Sequence, residues 1–474
     1  MKAVKAVPKQ VKVLGVFSLA MINVSLICSL RGLPTMAVYG MSVIFFLVVA
    51  VIFFLIPTAL VSAELATTWP KRGGIYVWVR EAFGEKWGFI AVCLQWLQNL
   101  VFYPTALAAT AAVIAFLFNP ALANNQIYNL VVIIVLYWAA ILINLRGMKL
   151  SGLVASVGTV LGIILPGIIL LVLAAAWVAD GQPIAIPIGL DYVVPDLSSL
   201  QNIVFLTGMF LFFAGMEVSG VHAKEVKNPQ KDYPKAIFIS SIIVALIFLV
   251  GSLSISMIVP LKELSLTAGI MQTFTVVLNS FNMSWMIPII VLLCAPGMIV
   301  QVSSWIAGPS RGLLVTAEQG NLPPFFHKIN KNNMPVHIML FQGVVVTLIS
   351  FIFLVMPSVS SSFWILTDLA ALIYLLFYIL MFLTALKLRK SQPNIKRPYS
   401  VPGGKYGIWV FSLMGIGACA SAFVLGFIPP MDLSMGGLLF YDLFLGIGVL
   451  VTVAFPFILY HLRKPSWKKK IVLD

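Results

Sequence analysis

The sequence predicts an all-α integral membrane protein with twelve transmembrane helices. Apolar residues make up 61% of its 474 residues and charged residues 9%, whereas soluble domains contain roughly 25% charged residues. A spanning helix needs about 20 mostly apolar residues, and residues 32–63, 87–145 and 264–310 contain no charge at all. Each stretch is long enough for one span with flanks or for two spans and a turn. Hydrocarbon, rather than water, is therefore expected around most of the chain.

The apolar runs and the residues that interrupt them predict five spans before a long loop and seven after it. The predicted spans cover residues 13–36, 41–66, 87–117, 126–145, 151–177, 200–222, 236–260, 284–312, 336–356, 362–386, 407–428 and 438–461. Prolines mark the loops after the third and fifth spans, and Pro429 and Pro430 mark the last outward turn.

Basic residues indicate the orientation of these spans. If the N-terminus is cytoplasmic, every Lys and Arg except Arg31 and Lys262 falls in an inward loop or a terminus. Cytoplasmic loops of membrane proteins are enriched in Lys and Arg, so both termini are expected inside a cytoplasmic (inner) cell membrane. The same scatter over short loops provides no basic face for nucleic acid.

The predicted units follow the spans, and transporter folds often contain inverted repeats with broken helices near the midplane. The units are a cytoplasmic N-terminus (1–12), five spans (13–177), an extracytoplasmic loop (178–199), five spans (200–386), a cytoplasmic loop (387–406), two spans (407–461) and a short basic cytoplasmic tail (462–474). Spans one and six are the candidates for broken helices. Asn23 and Ser25 interrupt the first, and Gly215 beside Glu217 interrupts the second. The alternative for Asn23 and Ser25 is hydrogen bonding to a neighbouring helix.

Three long passages and a short one carry a family resemblance. They are SAELATTWPKRGGIYVWVREAFG (62–84), FFAGMEVSGVHAKEVKNPQKDYPKAI (212–237), SSWIAGPSRGLLVTAEQGNLPPFFHKINKNNMP (303–335) and VPGG (401–404). These passages resemble the amino acid–polyamine–organocation superfamily, and most of all its glutamate/γ-aminobutyrate antiporter branch. Some acid-resistance members of the branch have a longer tail that plugs the inward mouth. Residues 462–474 are expected to be too short for such a plug, so activity is expected not to depend on acid release of one.

The resemblance implies a fold of five helices and five inverted helices with two appended helices, and an amino-acid site between the breaks of helices 1 and 6. A broken helix exposes N–H groups that favour a carboxylate and carbonyls that favour an ammonium. The carboxylate is therefore expected at Ile22, Asn23, Val24 and Ser25, and the amine at the carbonyls of Phe213, Ala214 and Gly215.

Two polar side chains in the predicted spans bear on specificity and coupling. Acids inside a membrane are functional by default, so Glu217 is the candidate for proton coupling and for contact with the substrate; the alternative is a cap on the unwound segment. Gln301 stands where members of the glutamate/γ-aminobutyrate antiporter branch, which this sequence resembles, carry an acid. An amide cannot titrate and offers both a donor and an acceptor, which favours a neutral or polar substrate, whereas the overall resemblance favours glutamate.

Aromatic and charged residues supply further site and gate candidates. Tyr374 and Tyr378 lie one turn apart and are expected to line the substrate path, with helix packing as the alternative. Gate candidates are Phe210, Phe212 and the pair Arg31 and Asp368 near the outward ends of their spans. Snorkelling to the interface would explain Arg31 equally well.

The predicted function is secondary active transport of an amino acid by alternating access, with exchange of amino acids as the leading form. The alternatives are proton-coupled symport and, more distantly, a channel, which would need a repeated filter or a charged ring. An enzyme is not predicted, because no His, Cys and carboxylate constellation has catalytic or metal-ligand spacing. The predicted partners are a small amino acid and the lipid bilayer, with no cofactor.

Overall fold

The computed structural model describes residues 15–70, 73–147, 158, 160–198, 203–204, 206–218, 226–430 and 434–468. Within these ranges the protein is helical and contains no extended strand, and an isolated bridge joins Ile329 and Pro335. The helices are α1 (Val16–Ile27), α2 (Leu33–Ala37), α3 (Gly40–Thr68), α4 (Ile75–Phe83), α5 (Glu85–Ala115), α6 (Gln126–Leu145), α7 (Val160–Ala179), α8 (Leu206–Phe213), α9 (Pro229–Ile258), α10 (Gly269–Ser280), α11 (Ser284–Asn321), α12 (Val336–Val355), α13 (Val359–Ser391), α14 (Gly404–Leu425) and α15 (Leu438–His461).

Among the described residues, ten helices are long and apolar enough to cross a membrane. They correspond to ten of the predicted spans. The other two predicted spans, 13–36 and 200–222, contain the shorter helices α1, α2 and α8. The predicted all-helical membrane class is therefore confirmed.

The first span is interrupted at Cys28 and Ser29, not at Ile22–Ser25 as predicted. Cys28 and Ser29 are extended, with ψ of 110° and 122°, between α1 and a 3-10 turn that leads into α2. The prediction was wrong because Asn23 Nδ2 donates to Ser240 Oγ of α9 at 3.3 Å and α1 continues past it. Pro34 lacks an N–H and favours the first turn of a helix, so a new helix begins there.

The second interruption follows α8 at Ala214 and Gly215, as predicted. Gly215 has φ of 122°, a region that residues with a Cβ rarely adopt. A Cβ there would also lie 3.2 Å from the indole of Trp305 on α11. The helix therefore stops where the backbone turns against an aromatic ring.

Two helices form the centre of the bundle. In the most apolar 18-residue stretches of α5 and α13, 89% and 78% of the residues are buried, against 11% in α15, which lies at the periphery of the bundle. Helices α7 and α11 approach closely, since a Cβ on Gly162 would lie 2.3 Å from the Cα of Gly297. Small residues permit this kind of contact between membrane helices.

Two helices outside the predicted spans were missed. Helix α4 packs against α5 and α13, and α10 packs against α2, α7 and α9. Both are short and amphipathic, so neither stands out as an apolar run.

Candidate functional site

A cavity lies between the two interruptions of the helices, at Cys28–Ser29 and Ala214–Gly215, and α5, α11 and α13 complete its walls. Its walls are formed by Leu26, Ile27, Ser29, Arg31, Gln98, Asn99, Phe102, Leu211, Phe212, Ala214, Gln301, Trp305 and Tyr374. Its volume is about 30 Å³, which holds a water molecule or two. A larger ligand enters only if lining side chains move.

Glu217 lies just after the second break and is held by three donors. Tyr374 and Gln95 donate to its Oε1, the latter at 3.4 Å, and Tyr378 donates to its Oε2 at 2.6 Å. The carboxylate is 3% exposed and sits behind Tyr374, which lines the cavity. The predicted site residues Glu217, Tyr374 and Tyr378 are thus brought together, although only Tyr374 reaches the cavity wall.

Tyr378 also contacts the unwound backbone. Its hydroxyl accepts a hydrogen bond of 2.8 Å from the N–H of Gly215. The two tyrosine rings lie 4.9 Å apart, as expected for residues one helical turn apart. Helix α13 therefore positions both the broken backbone and the buried acid that follows it.

The open carbonyl end of α1 is satisfied by side chains from α11. Gln301 donates to the carbonyl of Cys28 at 3.0 Å, and Trp305 donates to that of Leu26 at 3.3 Å. The last carbonyls of a helix lack partners within it, which explains why polar side chains converge here. Gln301 therefore lies at the first break and on the cavity wall.

Arg31 lies in the 3-10 turn after the first break, and its guanidinium lines the cavity. Nη1 donates to Thr105 Oγ1 at 2.9 Å, and Cζ lies 4.4 and 4.9 Å from the ring centroids of Phe102 and Phe212. The Thr105 hydroxyl is free to accept because it donates its own proton to the Phe102 carbonyl at 2.7 Å. This arrangement stacks the cation between two aromatic faces.

The three phenylalanines of α8 differ in their surroundings. Phe210 stacks on Phe54 with a centroid distance of 5.0 Å, and Phe213 packs against Phe248 at 5.2 Å. Only Phe212 lines the cavity, and its ring lies directly over Gly32, where a Cβ would approach to 2.8 Å. Of the two gate candidates on this helix, Phe212 therefore spans both breaks, whereas Phe210 is packed away from the cavity.

The predicted pairing of Arg31 with Asp368 is not formed in this structure. Asp368 is fully buried, and its Oδ2 accepts from the Tyr441 hydroxyl of α15 at 2.7 Å. The Gly426 carbonyl oxygen, 3.0 Å from the same hydroxyl, is an alternative acceptor for its one proton. The side chain of Arg31 faces the cavity and that of Asp368 faces α14 and α15, because sequence position along a span does not determine the direction around its helix.

Four residues predicted to receive a carboxylate lie instead within α1. Ile22, Asn23 and Val24 are helical, and Asn23 and Val24 are buried against the bundle. Ser25 belongs to the same helix, and its side chain lies outside the described part of the structure. The interpretation of Asn23 as a helix-packing residue is therefore the correct one.

The sequence analysis missed Gln95, Gln98 and Asn99 of α5 and Trp305 of α11. Gln95 donates to Glu217, and the others line the cavity. The first three are uncharged polar residues within the charge-free stretch 87–145. A cluster of amides in the middle of a span was the signal available, since such groups rarely face lipid. Trp305 offered no such signal, because a tryptophan within a span is also expected to pack between helices.

A second polar cluster lies where the C-terminal ends of α3 and α13 meet. Glu64 pairs with Arg389 and with Arg397, whose Nε lies 3.2 Å from Oε1, and accepts the Val401 N–H at 2.8 Å. Burial lowers the pKa of Arg397, and the charge of Glu64 opposes this shift. Burial raises the pKa of Tyr399 to about 12, with the same charge adding to the effect. The cluster ties the loop after α13 to α3.

No group of three or more His, Cys, Asp or Glu within the described ranges has the arrangement of a metal site. The four cysteines are buried and free. The cavity wall offers a cation, side-chain amides and aromatic faces for binding.

The fold and cavity define a polytopic membrane protein with a small polar site between two broken helices, which is the class of a secondary transporter. The chain belongs to the amino acid permease family, whose model matches residues 14–451. It is 44% identical over 447 residues to an uncharacterized transporter of Legionella pneumophila, covering 94% of this chain and 96% of the relative.

Two further relatives have more specific names. The chain is 34% identical over 463 residues to the glutamate/gamma-aminobutyrate antiporter of Lactococcus lactis subsp. lactis, covering 96% of this chain and 91% of the relative. It is 28% identical over 393 residues to the probable agmatine/putrescine antiporter of the same organism, covering 82% of each. The predicted family and the prediction of a multi-pass amino acid transporter rather than an enzyme are confirmed. The names of these relatives favour the antiporter over the symporter.

Proposed function

We propose that this protein exchanges amino acids across a cell membrane by alternating access, with an acidic amino acid and its decarboxylated product as the leading substrate pair. The observation that carries the proposal is the cavity between the breaks at Cys28–Ser29 and Ala214–Gly215. Transporters place their substrates near the midplane between discontinuous helices. A continuous conducting pore would instead need a repeated filter or a ring of like charges.

The proposed architecture has twelve spans arranged as two inverted units of five, followed by two appended helices. Ten long apolar helices and two interrupted segments support this count. The interrupted segments are the first and sixth spans, the corresponding positions of two five-helix units. The proposed unit boundaries remain 13–177, 200–386 and 407–461, with 1–12, 387–406 and 462–474 cytoplasmic and 178–199 on the opposite side.

The proposed binding roles follow the breaks. The α-amine lies at the carbonyl end of α8, near Ala214, and Tyr374 separates it from Glu217. The α-carboxylate lies at the break at Cys28–Ser29, which replaces 22–25 as its predicted position. Glu217 is the proposed proton-coupling group, because it is the carboxylate whose hydrogen bonds reach both the cavity wall and the unwound backbone.

The substrate pair rests on the relatives named for glutamate and gamma-aminobutyrate exchange and on the chain coverage they share with this protein. A neutral or polar amino acid, suggested by the amide of Gln301, is the competing substrate class. The relative named for agmatine and putrescine indicates that cationic compounds belong in the same assay.

Counterflow in liposomes tests this function. Vesicles containing the purified protein are preloaded with one unlabelled compound, and uptake of labelled glutamate is followed at two pH values. Glutamate and gamma-aminobutyrate are expected to stimulate uptake most, and Glu217→Gln is expected to reduce the difference between the two pH values. Uptake that needs an imposed proton gradient and ignores the internal amino acid would establish symport instead.

A further inference from the structure

Arg31 is a buried cation on the wall of the central cavity. It is 3% exposed, although it lies within the first span, where a long basic side chain near a helix end would be expected to reach the interface. Its turn directly follows the break at Cys28–Ser29. The protein therefore holds a positive charge beside the cavity that lies between the two helix interruptions.

No carboxylate of the described residues neutralises this charge. The polar partner of Arg31 is the Thr105 hydroxyl, and its flat faces are covered by Phe102 and Phe212. Nε has no hydrogen-bond acceptor in the described part of the structure. A guanidinium carries five N–H donors, and a buried charge is normally paired because its desolvation is costly. The unused donors can bind an anion that enters the cavity.

The acid of the site is already engaged elsewhere. Glu217 accepts from Tyr374, Tyr378 and Gln95, so it does not pair with Arg31. Gln301 is neutral and donates to the Cys28 carbonyl. An acid at position 301 would repel an anionic side chain in the same cavity, whereas an amide does not. Beside Arg31 on the same wall, the amide of Gln301 is therefore compatible with an acidic substrate as well as with a neutral one.

We infer that Arg31 binds the distal carboxylate of the substrate and sets the preference for acidic amino acids and ω-amino acids over neutral ones. The inference rests on the proposed exchange function and deepens it. An acidic amino acid and the product of its α-decarboxylation share an amine and a distal carboxylate, and differ only in the α-carboxylate. A residue that recognises the distal carboxylate therefore serves both members of the pair, with the amine at the α8 end of the cavity.

The test compares glutamate with glutamine, which have nearly the same shape and differ in the charge of the distal group. Half-saturation concentrations for both are measured by counterflow at pH 7 in the native protein, Arg31→Gln and Arg31→Lys. Lys262→Gln serves as the matched control, because it removes the other basic residue predicted on the outward side, and Lys262 is exposed. The half-saturation concentration for glutamate is expected to rise about 10- to 100-fold in Arg31→Gln, the effect of losing a hydrogen bond to a charged group.

The half-saturation concentration for glutamine is expected to change by less than about threefold in Arg31→Gln. Arg31→Lys is expected to retain part of the preference for glutamate, because the positive charge remains although the planar guanidinium is lost. Equal losses for both substrates, or an unchanged ratio between them, would overturn the inference while leaving exchange intact.

A second readout separates the inference from the proposed function. Thermal unfolding of the purified protein in detergent is followed with glutamate and with glutamine. A rise in Tm with glutamate that disappears in Arg31→Gln supports the carboxylate site even if the native protein exchanges neither compound, an outcome that would end the antiporter proposal. A rise in Tm that survives in Arg31→Gln, or no rise in the native protein, overturns the carboxylate site.

Discussion

Tyr378 donates a hydrogen bond of 2.6 Å to Glu217, and the same hydroxyl accepts one of 2.8 Å from the Gly215 N–H. One side chain of α13 thus connects the unwound backbone after α8 with the acid that follows it. Buried N–H and carboxylate groups need such partners because water is not available to replace them. The shape of the second break therefore depends on α13 as well as on the glycine.

Tyr378→Phe is expected to lower both Tm and the exchange rate, the latter by about tenfold, because it leaves a buried N–H and a carboxylate oxygen without their partner. Tyr374→Phe is the control on the same helix, since the Tyr374 hydroxyl contacts Glu217 whereas the Gly215 N–H donates to Tyr378. Thermal unfolding and counterflow are measured for both. A larger loss of Tm in Tyr374→Phe would contradict the assigned role of Tyr378.

Gly297→Ala is expected to destabilise the bundle by about 1–3 kcal/mol, the usual cost of overpacking. A Cβ at this position would lie 2.4 Å from the Cα of Gly162, so α7 and α11 would have to separate. Gly308→Ala lies on the same helix with no atom within 4 Å of its Cβ. Thermal unfolding in detergent should show a lower Tm for Gly297→Ala and a nearly native one for Gly308→Ala, and a native Tm for both would refute the close contact.

Glu64→Gln is expected to destabilise the folded state by about 2 kcal/mol, because the acid holds two arginines and a backbone N–H in a largely buried cluster. Arg389 and Arg397 would keep their charges but lose the shared anion. Glu263→Gln, at an exposed acid, is the matched control. Chemical unfolding monitored by tryptophan fluorescence measures the difference. Equal stability of the two variants would mean that the cluster contributes little.

Arg31 and Asp368 are expected to act independently. Their side chains have separate partners, Thr105 for the first and Tyr441 for the second. In a double-mutant cycle of Arg31→Lys and Asp368→Asn, the changes in unfolding free energy should add to within about 0.5 kcal/mol. The changes in exchange rate should likewise multiply. Strong coupling in the rate alone would reveal an outer gate that forms in another conformation.

Much of the fold could be predicted because the bilayer imposes strong patterns. The ten long helices follow directly from apolar runs and from the scatter of basic residues. The first break was misplaced because Asn23 is conspicuous in the sequence while its partner Ser240 lies 217 residues away. Gly32 and Pro34 were the local signal for the correct position, since they favour a restart of the helix at that point.

Part of the site could be predicted because polar side chains are rare within apolar spans. Glu217, Tyr374 and Tyr378 are brought into contact, and Gln301 reaches the cavity. The direction of a side chain around its helix is set by tertiary packing, which separates Phe212 from Phe210 and Arg31 from Asp368. Sequence spacing gives the depth of a residue along a span, but not which neighbour it faces.

The three donors that converge on Glu217 link protonation of this side chain to the backbone beside it. Tyr374, Tyr378 and Gln95 all point hydrogens at its oxygens. A proton added to this carboxylate would remove the charge that strengthens these three hydrogen bonds, and a donor held less firmly could then turn away. If that donor were Tyr378, the Gly215 N–H would lose its acceptor at the same moment. A change of one charge would thereby become a movement of the backbone at the hinge of the second broken helix.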